Sequence, residues 1–205
     1  MPDRILELDR NITLGLNALH TPLWDSIMVF LSSSTAWIPL YAAIAVLMFI
    51  PKWYGPHSLM RRQSHDIRSW AAGLTGVLAV LLCFGLTDQL TNVVKDAVQR
   101  LRPGHDPLLE GLLSLPDGAG GLYGFFSAHA ANTFGLAVVS SLIFRRKWYS
   151  AVILLWAALV SFSRIYLARH FTTDVICGAV FGTAVAFIVY YIYKYVIHLL
   201  HRHRN

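Results

Sequence analysis

Two histidines, three cations, two serines and one aspartate stand at spacings that suit chemistry on a phosphoryl group. Lys95 and Arg102 are seven residues apart, two turns of a helix, so both side chains can point the same way. Ser127 and His129 open one apolar run, and Ser163 and Arg164 close another. His170 precedes a third run, with Asp174 four residues later. Four residues is one helical turn, close enough for the carboxylate to hold the His170 ring. Arginine supplies forked planar donors and lysine a point charge, so Lys95, Arg102 and Arg164 suit a doubly or triply charged anion. Ser127 at a helix start adds a hydroxyl and first-turn N–H groups. With Asp174 fixing its tautomer, His170 can attack phosphorus, and His129 is free to protonate the leaving oxygen. Three cations stabilise the charge that develops, so this phosphohistidine route needs no metal and no cofactor.

The chain must gather these residues from well-separated places, and its composition says how. Of 205 residues, 56% are hydrophobic and 14% charged, against about a quarter charged in a soluble domain. Intrinsic disorder and an ordinary soluble enzyme are poor fits. Five apolar runs stand out, at about 24–50, 69–94, 127–144, 148–162 and 173–198. Each crosses or nearly crosses a hydrocarbon layer of about 30 Å at 1.5 Å per residue. Ser32, Ser33, Ser34 and Pro39 interrupt the first. Ahead of it, Ile5, Leu8, Ile12, Leu16 and Leu19 recur every three or four residues. That pattern predicts an amphipathic helix suited to lie on the membrane surface or against other helices, ended by Pro22. The expected fold is all-α, a polytopic transmembrane bundle of about five spans plus this N-terminal interfacial helix. Residues 1–205 read as one domain: 1–22 the interfacial helix, 24–198 the bundle, 199–205 a basic tail. Cys83 and Cys177 lie in apolar stretches without metal-type spacing and are expected as buried core residues.

Charge orients the bundle. Lys and Arg number 17 against 11 Asp and Glu, a net of +6. The positive charge is not spread along a nucleic-acid-binding face but sits in short segments between apolar runs, at 52–68, 145–147 and 194–205. Placed inside, these leave 1–24, 95–126 and 163–172 together outside. The loop 95–126 has three basic and four acidic residues, which agrees with the positive-inside rule. Every residue of the phosphate constellation then falls at the outer ends of the spans. The stretch 116–121 reads as a flexible outer loop. Gly178 and Gly182 can pack helices within one chain or between two.

The motifs Lys95-(six residues)-Arg102-Pro103, Ser127-Ala128-His129 and Ser163-Arg164-(five residues)-His170-(three residues)-Asp174 resemble the three signatures of the type 2 phosphatidic acid phosphatase superfamily. The resemblance spans about residues 95–182 and is closest to the small bacterial integral-membrane branch. It implies His170 as nucleophile, Asp174 as its partner and His129 as acid, with Lys95, Arg102, Ser127, the backbone N–H of Ala128, and Arg164 binding phosphate. The second motif departs from the family's Pro-Ser-Gly-His, with Phe126 and Ala128 in place of Pro and Gly. Alanine keeps the N–H, so the contact is expected to survive if φ is negative there.

Leu101, Tyr123, Phe125, Phe126, Tyr166 and Phe171 surround the motifs, either as an aromatic belt or as a cradle for a lipid tail. The expected substrate is a lipid phosphomonoester or pyrophosphate. Undecaprenyl pyrophosphate, phosphatidylglycerophosphate, phosphatidic acid and lipid A phosphate are the types the resemblance implies. The expected location is a bacterial inner membrane with the site on the periplasmic face. The alternative is a non-catalytic membrane protein that binds or transports a lipid phosphate or anion. A haloperoxidase-like use of the pocket is a further alternative, with vanadate in place of phosphate.

Overall fold

A computed structural model describes residues 2–56, 58 and 68–202. The described residues form seven α-helices: α1 (Pro2–Asn17), α2 (Pro22–Ser32), α3 (Ile38–Leu47), α4 (Arg68–Val98), α5 (Ala128–Phe144), α6 (Lys147–Tyr166) and α7 (Thr172–Arg202). The fold is all-helical, with no strand among the described residues.

By length and composition, Trp70–Val98, Lys147–Tyr166 and Thr172–Leu200 can each cross a membrane. The first apolar run departs from a straight span. It breaks into α2 and α3 with a 67° bend. Consecutive serine hydroxyls compete for backbone groups at the break, and Pro39, which lacks an N–H, fits only the first turn of a new helix. Trp37 ties the break together, its indole N–H donating to Leu31 O at 3.0 Å. Together α2 and α3 make a fourth candidate crossing. Helix α5 has 17 residues, about 25 Å at 1.5 Å per residue, and lies at the centre, flanked by α4, α6 and α7.

Small residues bring α5 and α7 together. A Cβ on Gly182 would lie 2.0 Å from Ala131 O, and one on Gly178 2.5 Å from Ser127 O. The two glycines thus pack helices within this chain. Ala137, Val139, Ile143, Ala157, Val160, Val185 and Val189 fill the space around that seam. Cys83 is buried and Cys177 partly buried, both unpaired. The outward faces carry exposed Leu78, Leu81, Val152, Leu155, Val180 and Ile188, apolar side chains suited to lipid.

The described parts of the connecting segments meet at the two ends of the bundle. At one end Arg146 donates to the carbonyls of Lys52, at 2.7 Å, and Trp53, and Gly55 N–H donates to Phe144 O at 2.7 Å. Most of the basic stretch 52–68 and the end of the tail, with His203, lie outside the described residues. At the other end α1, the 95–126 connection and the α6–α7 turn meet. Helix α1 turns its polar stripe inward. Asp9 is 2% exposed and Thr13 and Asn17 are buried, while Ile5 and Leu8 are 54% and 58% exposed. Asn17 donates to the carbonyls of Ser114 and Tyr166 at 2.8 and 3.0 Å, and Arg10 pairs with Asp106 at 2.7 Å. A soluble helix would do the reverse; an apolar outward face suits contact with lipid.

Candidate active site

The residues singled out above converge at the end of the bundle that holds α1. Lys95 lies in the last turn of α4, Ser127 caps α5, and His129 lies in its first turn. Arg164 lies in the last turn of α6, His170 in the turn 167–171, and Asp174 in the first turn of α7. Lys95, Arg102, Arg164 and His129 all lie close enough to act electrostatically on His170.

Arg102 reaches the site by another route than helical spacing. Helix α4 stops at Val98, and Gln99 takes a left-handed φ of +53°. Residues 100–102 then run extended beside 122–124, with Arg102 N–H donating to Leu122 O at 3.1 Å and Gly124 N–H to Arg100 O at 2.8 Å. Arg102 Nε donates to Tyr123 O at 3.0 Å. Lys95 and Arg102 therefore meet through a reversal of the chain, not along one helix face. Burial, and after it the neighbouring Arg169, push the Arg102 guanidinium below its ordinary pKa; it is a cation crowded by cations.

Ser127 Oγ accepts from Ala130 N–H at 3.4 Å, and Ser127 N–H donates to Asp174 O at 2.9 Å. The cap thus fixes the start of α5 to the start of α7. Ala128 is the first residue of α5, outside the positive-φ set. Alanine therefore sits there without strain in place of glycine.

His170 is 1% exposed and its Nδ1 is buried with no hydrogen-bond partner among the described residues. Asp174 Oδ2 lies 3.7 Å from that nitrogen, in contact but beyond hydrogen-bond length. Burial first, then Arg164, Arg102, Lys95 and His129, hold the ring well below its ordinary pKa near 6.5. His170 is thus a neutral imidazole at neutral pH. With Nδ1 turned to Asp174, Nε2 is the nitrogen on the side away from the carboxylate. Arg164 is 5% exposed; it donates through Nη1 to Ser32 Oγ and leaves its Nε unpartnered among the described residues. His129 Nε2 lies 3.2 Å from Ser34 Oγ.

Several contributors escaped the sequence reading. Ser32 and Ser34, whose run interrupts the first apolar stretch, are carried into the site by that break. Arg169 binds Asp117 at 2.9 and 2.6 Å and so holds the 116–121 stretch, read as flexible, over the pocket. Gly120 of that loop has φ +79°, and a Cβ there would sit 2.3 Å from Arg169 Nη1 and 2.9 Å from Arg102 Nη1. Arg100 was also passed over. It binds Asp174 at 2.7 Å and Asp9 at 2.8 Å. The Arg-Leu-Arg-Pro run was its one visible signal.

One and two turns along α5 from His129, Asn132 and Leu136 line a cavity of about 250 Å³. Tyr41, Phe84 and Trp156 complete its mostly apolar wall. Asn132 also donates to Asp88 at 3.3 Å and accepts from Thr87 at 2.6 Å. Among the described residues no three His, Cys, Asp or Glu side chains are grouped to hold a metal.

An all-helical membrane bundle with a cationic pocket around two histidines defines a class, membrane phosphatases. Residues 76–198 match the PAP2 superfamily, and the chain belongs to it. Among curated relatives, the lipid A 4'-phosphatase of Bacteroides thetaiotaomicron is 31% identical over 94% of this chain and 80% of its own. That of Porphyromonas gingivalis is 35% identical over 93% and 75%. Among solved structures, a PAP2-type phosphatidylglycerolphosphate phosphatase from Bacillus subtilis shares the fold, with TM-score 0.66 and 22% identity over 94% of this chain and 88% of that one. Aquifex aeolicus LpxE aligns with TM-score 0.62 and 25% identity over 90% and 93%. The family resemblance of the three motifs is borne out, and with it the class of integral-membrane lipid phosphatases.

Proposed function

We propose that this lipid phosphatase removes a phosphate from the headgroup of a lipid A-type substrate through a phosphohistidine intermediate. The observation that carries the reading is a buried His170, 3.7 Å from Asp174 and surrounded by Lys95, Arg102 and Arg164. The relatives' names support the substrate. Phosphatidylglycerophosphate, phosphatidic acid and undecaprenyl pyrophosphate are the competing members of the same class.

The phosphate oxygens rest on Lys95, Arg102, Arg164, the Ser127 hydroxyl and the N-terminus of α5 at Ala128. His170 Nε2 attacks phosphorus in line with the lipid oxygen. The P–O bond breaks as His129, protonated once the charge of the bound phosphate offsets the surrounding cations, gives that proton to the lipid oxygen, and the dephosphorylated lipid leaves. Water, deprotonated by His129, then attacks the phosphohistidine, and the P–N bond breaks to return His170 and release inorganic phosphate. The cations offset the charge gathered on the equatorial oxygens. The cavity beneath His129 receives the start of the apolar tail.

Residues 1–205 act as one membrane-embedded unit of five crossings, counting α2–α3 as one bent crossing and α5 as a short one. Helix α1 lies in the interface. Arg146 at one end and the acid-balanced loop at the other support a site on the outer face of a bacterial inner membrane.

The test is inorganic phosphate release by the detergent-solubilised protein from the four lipids, without added metal, beside His170→Ala. Release fastest from lipid A and lost in the variant is expected. Undiminished release by His170→Ala overturns the mechanism; no release from any lipid by the wild type overturns the reading in favour of a binding protein.

A further inference from the structure

Arg100 serves two carboxylates from different helices. Its Nη1 donates to Asp174 Oδ1 and to Thr173 Oγ1, each at 2.7 Å, and its Nη2 donates to Asp9 Oδ2 at 2.8 Å. The guanidinium carbon stands 4.4 Å over the Phe171 ring. Asp9 accepts again from Thr173, from its N–H at 3.0 Å and from its hydroxyl. Asp9 and Asp174 are 2% and 0% exposed.

We propose that Asp9 and Arg100 are positioning residues that act on His170 through Asp174. The proposal rests on the reading of His170 as nucleophile. A carboxylate that orients an imidazole must be fixed in place, and must keep enough negative charge to stabilise the ring as it becomes cationic. Arg100 meets the first need by gripping Oδ1. Alone, it would defeat the second, because a full positive charge at 2.7 Å draws the carboxylate away from the ring. Asp9 occupies the other side of the guanidinium and offsets that charge. Without Arg100, in turn, the two buried carboxylates would repel each other.

The other groups that face His170 sharpen the need. Lys95 comes from α4, Arg102 from the extended segment, His129 from α5 and Arg164 from α6. None of them is negative, so the balance falls on Asp174 from α7 and on Asp9 behind it. Helix α1 delivers Asp9 because it turns its polar stripe inward and leaves Ile5 and Leu8 outside. The N-terminal helix thereby takes part in the chemistry at two removes.

The experiment compares Asp9→Asn, Arg100→Gln and the double variant with the wild type, as full-length protein in detergent, on whichever of the four lipids is hydrolysed fastest. Asparagine keeps the shape and can still accept from Arg100 through its one oxygen, so the charge and the bond from Thr173 N–H are what is lost. Asp9→Asn is expected to lower kcat about tenfold, as loss of an outer-shell partner does. KM should stay within about twofold, since no substrate contact is removed. Its acid limb in kcat/KM should move to lower pH, because a lost negative charge disfavours the imidazolium. Arg100→Gln should lower kcat while moving the limb to higher pH. The double variant should cost little more than the worse single one.

A wild-type kcat in Asp9→Asn, or limbs that move in the same direction, overturns the proposal. If Asp9→Asn does not fold, the Arg100→Gln limb decides alone: upward supports the pairing, unmoved overturns it. His170→Ala, run alongside, keeps the two readings apart. Activity surviving there sinks the nucleophile, whereas a dead His170→Ala beside a fully active Asp9→Asn sinks the positioning role.

Discussion

Asp174 Oδ2 lies 3.7 Å from His170 Nδ1 while it accepts a hydrogen bond from Phe171 N–H at 3.0 Å. The carboxylate is held by the backbone of the turn that presents the histidine, so ring and orienter share one rigid piece of chain. Replacing Asp174 by Asn can keep the bond from Phe171 N–H but turns its NH2 toward Arg100, and it removes the charge that stabilises the ring during attack. Asp174→Asn is expected to lower kcat by about 10²- to 10⁴-fold with a much smaller change in KM, judging by the loss when an orienting carboxylate is amidated in a catalytic triad. Phosphate release kinetics on the fastest lipid check this. A kcat within twofold of wild type would count against Asp174 as the partner of His170.

The neutral state of His170 has a consequence for stability. Its pKa is held well below the unfolded value near 6.5, chiefly by burial and then by Arg164. Above pH 6.5 neither state binds this proton and the group contributes no pH dependence. As pH falls below 6.5 the unfolded chain takes the proton and the native one does not, so stability is lost until the native pKa is reached. Thermal unfolding in detergent between pH 7.5 and 5 should show the midpoint falling below pH 6.5, with a shallower fall in His170→Asn. Equal slopes in the two proteins would mean that His170 titrates normally in the fold.

The helices were legible because apolar runs and breakers act locally, and the three motifs were legible because each is short. What joins them was not. The bend that brings Ser32 and Ser34 to Arg164 and His129 looked from the sequence like a soft interruption of one span, since the packing partner that makes the break useful lies about 130 residues away. Lys95 and Arg102 sit at a helical spacing, yet the helix ends between them, because the pairing of 100–102 with 122–124 is a non-local contact. The inward face of α1 was hidden for a related reason: an amphipathic pattern gives two faces and does not say which meets protein. Asp9, Thr13 and Asn17, at four-residue spacing, marked the stripe that does.

The seam between α5 and α7 is expected to be intolerant of side chains. Gly182→Leu would place a Cβ 2.0 Å from Ala131 O, which is backbone and cannot rotate aside. Overpacking of this kind costs about 3 kcal/mol or more. His129 rides on α5, which Ser127 caps, and Asp174 on α7, so prising the helices apart should also separate His129 from the His170–Asp174 pair. The expected result is a lower unfolding midpoint together with loss of phosphate release. A variant with wild-type midpoint and rate would show that the seam opens without cost.

Arg164 offers the sharpest test of how phosphate is held. It is 5% exposed, its Nη1 is committed to Ser32, and its Nε has no partner among the described residues. A phosphate oxygen would supply that partner. Lysine keeps the charge but cannot span Ser32 and the phosphate with one planar fork. Arg164→Lys is therefore expected to weaken binding of orthovanadate, which mimics five-coordinate phosphorus, by about tenfold or somewhat more, since tenfold is about 1.4 kcal/mol and one hydrogen bond to a charged group contributes about 1.5 kcal/mol or more. It should also lower kcat, because the contact tightens as charge moves onto the equatorial oxygens. Inhibition of lipid hydrolysis by vanadate, titrated for wild type and variant, measures the first effect, and single-turnover rates measure the second. Equal vanadate inhibition of both proteins would mean that Arg164 serves the bend at Ser32 and not the phosphate.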